Sequence, residues 1–167
     1  ADLSTLVEGR VLEDDASILV RYRGGARGIL YCSQISIGEE NNLTIRIYGT
    51  QAALEWKQEH PNWLYVKYPD RPEQILKRGN AYLCEEAAHA SRLPAGHPEA
   101  FIEAFANVYK NAGRTIMAHI EGREPSEADL DFPTVQDGAR GVQFIHTALR
   151  SSQSRAWVDA SYTPPEQ

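Results

Sequence analysis

The stretch from residue 25 to residue 56, GARGILYCSQISIGEENNLTIRIYGTQAALEW, decides the fold. Apolar residues recur in it at every second position, as in Leu43, Ile45 and Ile47, and the pattern is interrupted by short polar turns. Such alternation is typical of half-buried β-strands, because successive side chains point to opposite faces of a sheet. The stretch therefore predicts three strands joined by short turns.

The residues before this stretch predict a hairpin. Ile18, Val20 and Tyr22 alternate with Ser17, Leu19, Arg21 and Arg23, and the segment RGGAR follows, in which Gly24 and Gly25 supply the positive φ of a tight turn. We expect the first two strands to pair. The chain begins with Ala1 rather than Met and continues with a strand-like alternation, so we also expect it to come from the inside of a longer protein.

The residues after the stretch extend the same pattern. WLYVKY at 63–68 and EQILKR at 73–78 predict two further strands, and EHPN at 59–62 separates the first of these from its predecessor because proline lacks the ladder donor. Consecutive strands joined by short turns pair in antiparallel fashion. The sequence predicts a meander of five or six mainly antiparallel strands.

The pattern changes to helix after Gly79. Residues 83–90 favour a short helix, residues 98–120 repeat apolar positions at steps of three and four, and residues 135–151 favour another helix. RAWVDA at 155–160 alternates like one last strand. Strands that precede helices, rather than alternating with them, predict an α+β fold with an open, mainly antiparallel sheet and helices packed on one face.

Composition limits the class of protein. A chain of 167 residues with a net charge of -6 and no basic cluster does not fit a nucleic-acid-binding protein. No apolar run approaches the roughly 20 residues of a membrane span, and no signal segment is visible, so we expect a cytoplasmic protein without a membrane partner. We expect residues 1–160 to form one domain and residues 161–167 a flexible tail.

Motifs of catalysis and metal binding are missing from the sequence. YRGGARG at 22–28 has clustered glycines but lies between two strands, whereas a phosphate-binding loop opens a helix. A serine nucleophile elbow, a His-Glu-x-x-His pair and a P-loop are also missing. Cys32 and Cys84 suit neither a disulfide framework nor zinc. The motifs therefore indicate no catalytic residue and no metal ligand.

One histidine has two possible roles. His97 lies between Gly96 and Pro98, at the start of the longest amphipathic segment. Pro98 suits the first helical position and Glu99 suits the positive end of the helix dipole, so His97 could serve only the start of the helix. Its loop is also the kind of surface connection that carries function, so it could instead contact a substrate.

With these residues laid out, the chain resembles the C-terminal half of an oxidoreductase of the glucose-fructose oxidoreductase, inositol dehydrogenase and MocA (Gfo/Idh/MocA) family. The resemblance covers nearly the whole chain and rests on four segments in the same order. They are the stretch at 25–56, EHPNWLYV at 59–66, GHPEAFIEAFANVY at 96–109, and DFPTVQDGARGVQFI with SRAWV at 131–158.

The resemblance implies a two-domain enzyme that transfers hydride between NAD or NADP and a sugar, cyclitol or related polyol. The family's Gly-x-Gly-x-x-Gly fingerprint, its Glu-Lys-Pro lysine and its Asp-x-x-x-His pair match no position here, so no catalytic or cofactor-binding residue is carried over. The chain would be a substrate-binding and oligomerisation domain, inactive alone. His97 and Arg92 are its predicted substrate-binding residues, and the exposed sheet face is its predicted contact with other copies. The alternative is a stand-alone, non-enzymatic dimerisation or protein-binding module.

Overall fold

The computed structural model describes residues 1–164, which form strands, three α-helices and one 3-10 turn. The strands are β1 (Asp2–Ser4), β2 (Asp15–Arg21), β3 (Arg27–Ser33), β4 (Thr44–Tyr48), β5 (Ala53–Lys57), β6 (Trp63–Lys67) and β7 (Gln74–Lys77). The helices are α1 (Glu85–Ala90), α2 (Phe101–Ile120) and α3 (Val135–Ser154), and the 3-10 turn is Glu127–Leu130.

The chain divides into two compact units. One contains residues 1–40 and 133–164, and the other contains residues 41–132. The first unit holds the sheet β1-β2-β3 and helix α3, and the second holds the sheet β4-β5-β6-β7, helices α1 and α2 and the 3-10 turn.

In the first unit, β2 pairs with β1 on one side and with β3 on the other, both antiparallel. Gly25, with φ of 88°, closes the β2–β3 hairpin by donating its amide to the Tyr22 carbonyl at 3.0 Å. The inward face of β2 buries Ala16 and Ile18. Helix α3 is joined to β1 by the hydroxyl of Ser152, which accepts a hydrogen bond from the Leu3 amide at 3.1 Å.

In the second unit, the four strands form an antiparallel meander in chain order. Their register places one set of apolar side chains on one face, in the rows Ile45–Trp56–Leu64–Leu76 and Ile47–Leu54–Val66. The opposite face carries the carboxylate of Glu55, which bonds the ammonium groups of Lys57 and Lys67. One face is thus apolar and the other is partly ionic.

Helix α2 packs against the 3-10 turn within the second unit. Buried Asn111 donates to the Asp131 carbonyl at 3.1 Å, and Thr115 donates to the Asp129 carbonyl at 2.9 Å. Ala118 on the same helix is fully buried. These contacts fix the C-terminal half of α2, and the N-terminal half leads back to the loop described below.

The predicted α+β class with open antiparallel sheets is confirmed, and so is the β2–β3 hairpin. The structure differs in that the strands form two sheets instead of a single meander. The interruption falls at IGEENN, where Gly38, Glu40 and Asn42 all have positive φ. A left-handed backbone cannot continue a β-ladder, so β3 and β4 belong to different sheets.

The predicted last strand at 155–160 is wrong. Arg155 takes the left-handed conformation after α3, and the amide of Ala156 donates to the Ser151 carbonyl at 3.3 Å. The Arg21 guanidinium lies over the ring of Trp157, with 4.0 Å between Arg21 Cζ and the ring centroid. The segment is held by a helix end and a cation–π contact rather than by a ladder.

The division into a domain at 1–160 and a flexible tail at 161–167 stays a prediction, and the last three positions of that tail lie outside the described residues. Among residues 1–164, no helix combines the length and the apolar character that a membrane crossing requires.

Candidate functional site

A cavity of about 410 Å³ opens in the second unit, and His97 lies on its wall. Three segments form it: the turn from β5 to β6, the end of β7, and the loop that leads into α2. Its lining residues are Glu59, His60, Pro61, Asn62, Trp63, Lys77, Arg78, Asn80, Gly96, His97 and Pro98. We call it the His97 cavity.

The turn from β5 to β6 supplies an aromatic wall. Trp56 holds this turn by donating its indole N–H to the Pro61 carbonyl at 3.0 Å. The rings of His60 and Trp63 stack on each other with centroids 5.4 Å apart and planes inclined by 10°. The ammonium of Lys77, which pairs with Trp63 across β6 and β7, lies 6.0 Å from the indole centroid. Aromatic and cationic groups therefore line the same side of the cavity.

Arg78 follows β7 directly and holds the loop that leads into α2. Its Nη1 donates to the Leu93 carbonyl at 2.6 Å, and its Nη2 donates to the Pro94 carbonyl at 3.1 Å. The same Nη2 also donates to the His97 carbonyl. One guanidinium thus fixes three backbone positions of the loop that carries His97.

Glu99 completes this arrangement from inside the loop. Its carboxylate lies 3.4 Å from Arg78 Nη1 and accepts the backbone amides of Arg92, at 2.5 Å, and of Leu93. Asn62 Oδ1 accepts both Arg78 Nε at 3.0 Å and the Glu99 amide at 2.9 Å. The charged ends of Arg78 and Glu99 are largely shielded, with side chains 15% and 7% exposed. Each charge has a partner, as buried charges require.

The cavity also presents polar groups with spare hydrogen-bonding capacity. Within residues 1–164, no hydrogen bond or ion pair engages the imidazoles of His60 and His97 or the ammonium of Lys77. Asn80 donates its amide nitrogen to the carbonyls of Lys77 and Arg78, which leaves its side-chain oxygen available as an acceptor. A ligand in the cavity would meet both donors and acceptors.

The structure places the two predicted substrate-binding residues differently. His97 is exposed and lines the cavity. Arg92 is exposed as well, but its guanidinium donates to Asn107 on α2 at 3.1 Å and does not line the cavity. The structure therefore does not bring them together, and their contact with a substrate stays a prediction.

His97 does not start the helix. We expected a helix from Pro98, but α2 begins at Phe101 with Ala100 as its N-cap, and the Ala100 amide donates to Glu103 at 2.9 Å. The reason is Glu99, whose carboxylate and amide are both committed to the loop network and which therefore stays outside the helix. The hypothesis that His97 serves only the start of the helix is thus wrong.

The described residues contain neither a cluster of metal-ligand side chains nor a parallel strand–turn–helix unit. No group of three or more His, Cys, Asp or Glu side chains in residues 1–164 is arranged to hold a metal ion. Every strand pair is antiparallel, and the residues preceding the three helices are Cys84, Ala100 and Thr134. Dinucleotides bind where a glycine-rich turn joins a strand of a parallel sheet to a helix, and this part of the chain has no such unit.

Sequence reasoning missed Arg78, Glu99, Asn62 and the stacked pair of His60 and Trp63. The sequence did contain a signal for the special backbone conformation of Gly79, since a glycine directly after the predicted strand at 73–78 marks such a position. Nothing local marks the Arg78–Glu99 pair, because a charged residue is normally solvated and only the tertiary fold buries these two.

The fold and the site together define a class: an antiparallel α+β domain with an open polar cavity and without a dinucleotide-binding unit in its described residues. Comparison with known proteins gives the family. Residues 2–160 match the family model described as "Oxidoreductase family, C-terminal alpha/beta domain". The chain therefore belongs to the Gfo/Idh/MocA oxidoreductase family and corresponds to its C-terminal domain, as the resemblance predicted.

Individual relatives agree with this assignment. The chain is 35% identical over 149 residues to the uncharacterized oxidoreductase YfiI of Bacillus subtilis, covering 89% of this chain and 38% of YfiI. A solved oxidoreductase from Sinorhizobium meliloti is similar at 41% identity and a TM-score of 0.87, covering 95% of this chain and 44% of that one.

A third relative was solved with ligands. An inositol dehydrogenase homolog from Azotobacter vinelandii, complexed with NADH and myo-inositol, is 34% identical with a TM-score of 0.87. The match covers 95% of this chain and 42% of the homolog. The chain thus spans less than half of each of these relatives.

Proposed function

We propose that the chain is the substrate-binding and oligomerisation domain of an NAD(P)-dependent oxidoreductase that acts on a sugar, cyclitol or related polyol. The observation that carries the substrate part is the His97 cavity, in which an aromatic wall stands beside unused donors and acceptors. The myo-inositol complex of the similar Azotobacter protein supports the choice of a polyol.

The chemistry of the cavity suits a polyhydroxylated ring. Such a ring has apolar C–H faces and a rim of hydroxyl groups that both donate and accept hydrogen bonds. The indole of Trp63 offers an apolar surface, and the imidazole of His97, the ammonium of Lys77 and the side-chain oxygen of Asn80 offer the polar partners. Small-ligand sites typically combine an apolar wall with a few polar groups of this kind.

Hydride transfer would depend on a nicotinamide cofactor held outside these residues. Structures of the Azotobacter homolog contain NAD+ or NADH, and the chain covers 41–42% of that protein. The role of this domain would be to orient the substrate carbon against the nicotinamide, while the cofactor carries the redox chemistry. By itself, the domain would bind substrate without turning it over.

The assembly part of the proposal rests on an exposed sheet face in the first unit. Leu19 and Ile29 are paired across β2 and β3 and are 59% and 81% exposed, and Tyr31 lies on the same face. Exposed apolar side chains that adjoin on a flat sheet favour burial against another copy. The same face would serve the alternative function, a stand-alone dimerisation or protein-binding module.

The affinity of the chain for myo-inositol, measured by calorimetry, tests the substrate part. We expect binding that weakens about tenfold in His97→Ala, since a ligand hydroxyl would lose its imidazole partner. His119→Ala, which alters an exposed helical histidine outside the cavity, should bind as the wild type does. Equal affinities in all three proteins would contradict a substrate role for His97, and the absence of binding to the wild type would contradict the polyol cavity.

A further inference from the structure

We propose that the adjacent residues Arg78 and Gly79 support the loop backbone and thereby position His97 for ligand binding. Arg78 acts through the loop backbone and never on the ligand itself. The inference rests on the proposed function of the cavity. It assigns to Arg78 a positioning role, although the side chain lies in the cavity wall next to His97.

The guanidinium of Arg78 is fully engaged by the protein. Nε donates to Asn62, Nη1 to the Leu93 carbonyl, and Nη2 to two further loop carbonyls, while Glu99 balances the charge. A guanidinium has five N–H donors in a rigid fork, and these contacts use all three nitrogens. Arg78 therefore has little capacity left for a ligand hydroxyl.

Gly79 constrains the same loop independently of Arg78. Its φ is +73°, and a Cβ at this position would lie 3.0 Å from the amide nitrogen of Ala95 and 3.2 Å from the Ala95 Cα. The neighbours are backbone atoms, so they cannot rotate away as a flexible side chain would. The loop thus passes directly over Gly79 while Arg78 holds its carbonyls.

The two features act on the same short segment. Arg78 donates hydrogen bonds to the carbonyls of Leu93, Pro94 and His97, and the backbone at Ala95 lies against Gly79. The hydrogen bond from Arg78 to the His97 carbonyl restrains the Cα that carries the imidazole. Holding a binding group on a rigid support lowers the entropy lost when a ligand binds.

Arg78→Lys is the variant that tests this role. Lysine retains the positive charge facing Glu99, but a compact ammonium cannot reach three carbonyls and Asn62 together. We expect the loop amides of Leu93, His97 and Glu99 to exchange with solvent about tenfold faster than in the wild type. We expect the affinity for myo-inositol to fall about threefold or more, and the His97 imidazole resonances to shift toward those of a mobile side chain.

Two controls separate positioning from general destabilisation. Val66→Ala removes buried volume from β6 without touching the loop, so it should lower global stability and leave loop exchange and affinity unchanged. Arg71→Lys alters an arginine of the same unit whose guanidinium lies over Tyr68 and whose side chain is 57% exposed. It should match the wild type in every readout.

The results distinguish a failure of this inference from a failure of the proposed function on which it rests. The positioning role would be overturned if the loop amides of Arg78→Lys exchanged at the wild-type rate. It would also be overturned if Val66→Ala, at a stability equal to that of Arg78→Lys, showed faster exchange of the loop amides. Unchanged affinity in a variant whose loop exchanges faster would overturn it too. If the wild type binds no myo-inositol, the proposed function fails, and the exchange rates and the His97 resonances still decide whether Arg78 positions the loop.

Discussion

His97 shows how a residue's role depends on contacts that sequence does not display. From the sequence, a histidine before Pro98 could start a helix or contact a ligand. In the structure, Glu99 uses its carboxylate and amide within the loop, so the helix begins later and His97 lines a cavity. The location of His97 on a loop before the long helix could be predicted, but the Arg78–Glu99 pair behind it could not, because its partners are far apart in sequence.

Glu55 is a carboxyl group whose ionisation is coupled to two lysines. Hydrogen bonds from Lys67 and then Lys57 lower the pKa of its carboxyl from 4.5 to about 2. Glu55 also raises the pKa of Lys67. Because the pKa of Glu55 is lower in the folded state, its stabilisation is fully present above pH 4.5 and is lost as the pH falls toward 2.

Glu55→Gln should therefore lower the free energy of unfolding by about 1 kcal/mol at pH 7, since the lysine partners are partly solvated and the attraction is screened. The difference from the wild type should shrink between pH 5 and pH 2, as the wild-type carboxyl becomes protonated. Urea unfolding over this pH range measures it. Glu73→Gln is the control, because Glu73 lies 3.7 Å from Lys67 and is 43% exposed. A constant difference at all pH values would contradict the ionic origin.

At the scale of elements, local patterns predicted most of the secondary structure. Alternation predicted the strands, and steps of three and four residues predicted α2 and α3, because each pattern reflects burial on one face. The separation into two sheets was missed because Glu40 and Asn42 adopt positive φ although neither is glycine. The strand expected at 155–160 failed because the left-handed conformation of the single residue Arg155 redirects the chain.

A substitution at Gly79, just after β7, tests how closely the loop approaches the end of this strand. Gly79→Ala should destabilise the chain in two ways, because alanine disfavours the φ of +73° and its Cβ would meet the backbone of Ala95. Gly122→Ala is a matched control, since Gly122 has a φ of +69° and no atom within 4 Å of an added Cβ. Both variants should lose about 1–2 kcal/mol for the left-handed conformation.

Gly79→Ala should lose at least about 1 kcal/mol more than Gly122→Ala, because the loop must also shift. Urea unfolding at neutral pH compares the two. Equal losses in the two variants would show that the loop does not rest on Gly79 and would remove one of the two supports for the positioning of His97.

At the scale of the whole molecule, the family could be recognised from the sequence because four segments match in order across nearly the whole chain. What each segment contributes to binding could not be predicted, since the cavity joins a turn, a strand end and a loop from separate segments. Assembly likewise depends on which strand face remains uncovered, and alternation shows two faces without showing which one is buried.

Ile29→Glu tests the assembly proposal. A charge in the centre of the exposed β2–β3 face should reduce self-association, because burying it against another copy would leave it unpaired. Val135→Glu is the control, since Val135 is 89% exposed and lies on α3 instead of the sheet. Light scattering coupled to size exclusion should give an oligomer for the wild type and for Val135→Glu, and smaller species for Ile29→Glu. A monomeric wild type at high concentration would contradict the proposed interface.

The central claim is that the His97 cavity binds a polyol. The most direct measurement is a titration of the isotope-labelled chain with myo-inositol, followed by nuclear magnetic resonance. The account predicts saturable shifts of the amide and side-chain resonances of His60, Trp63, Lys77, Asn80 and His97, with little change elsewhere. No shifts at millimolar myo-inositol, or saturable shifts confined to residues away from this cavity, would contradict it.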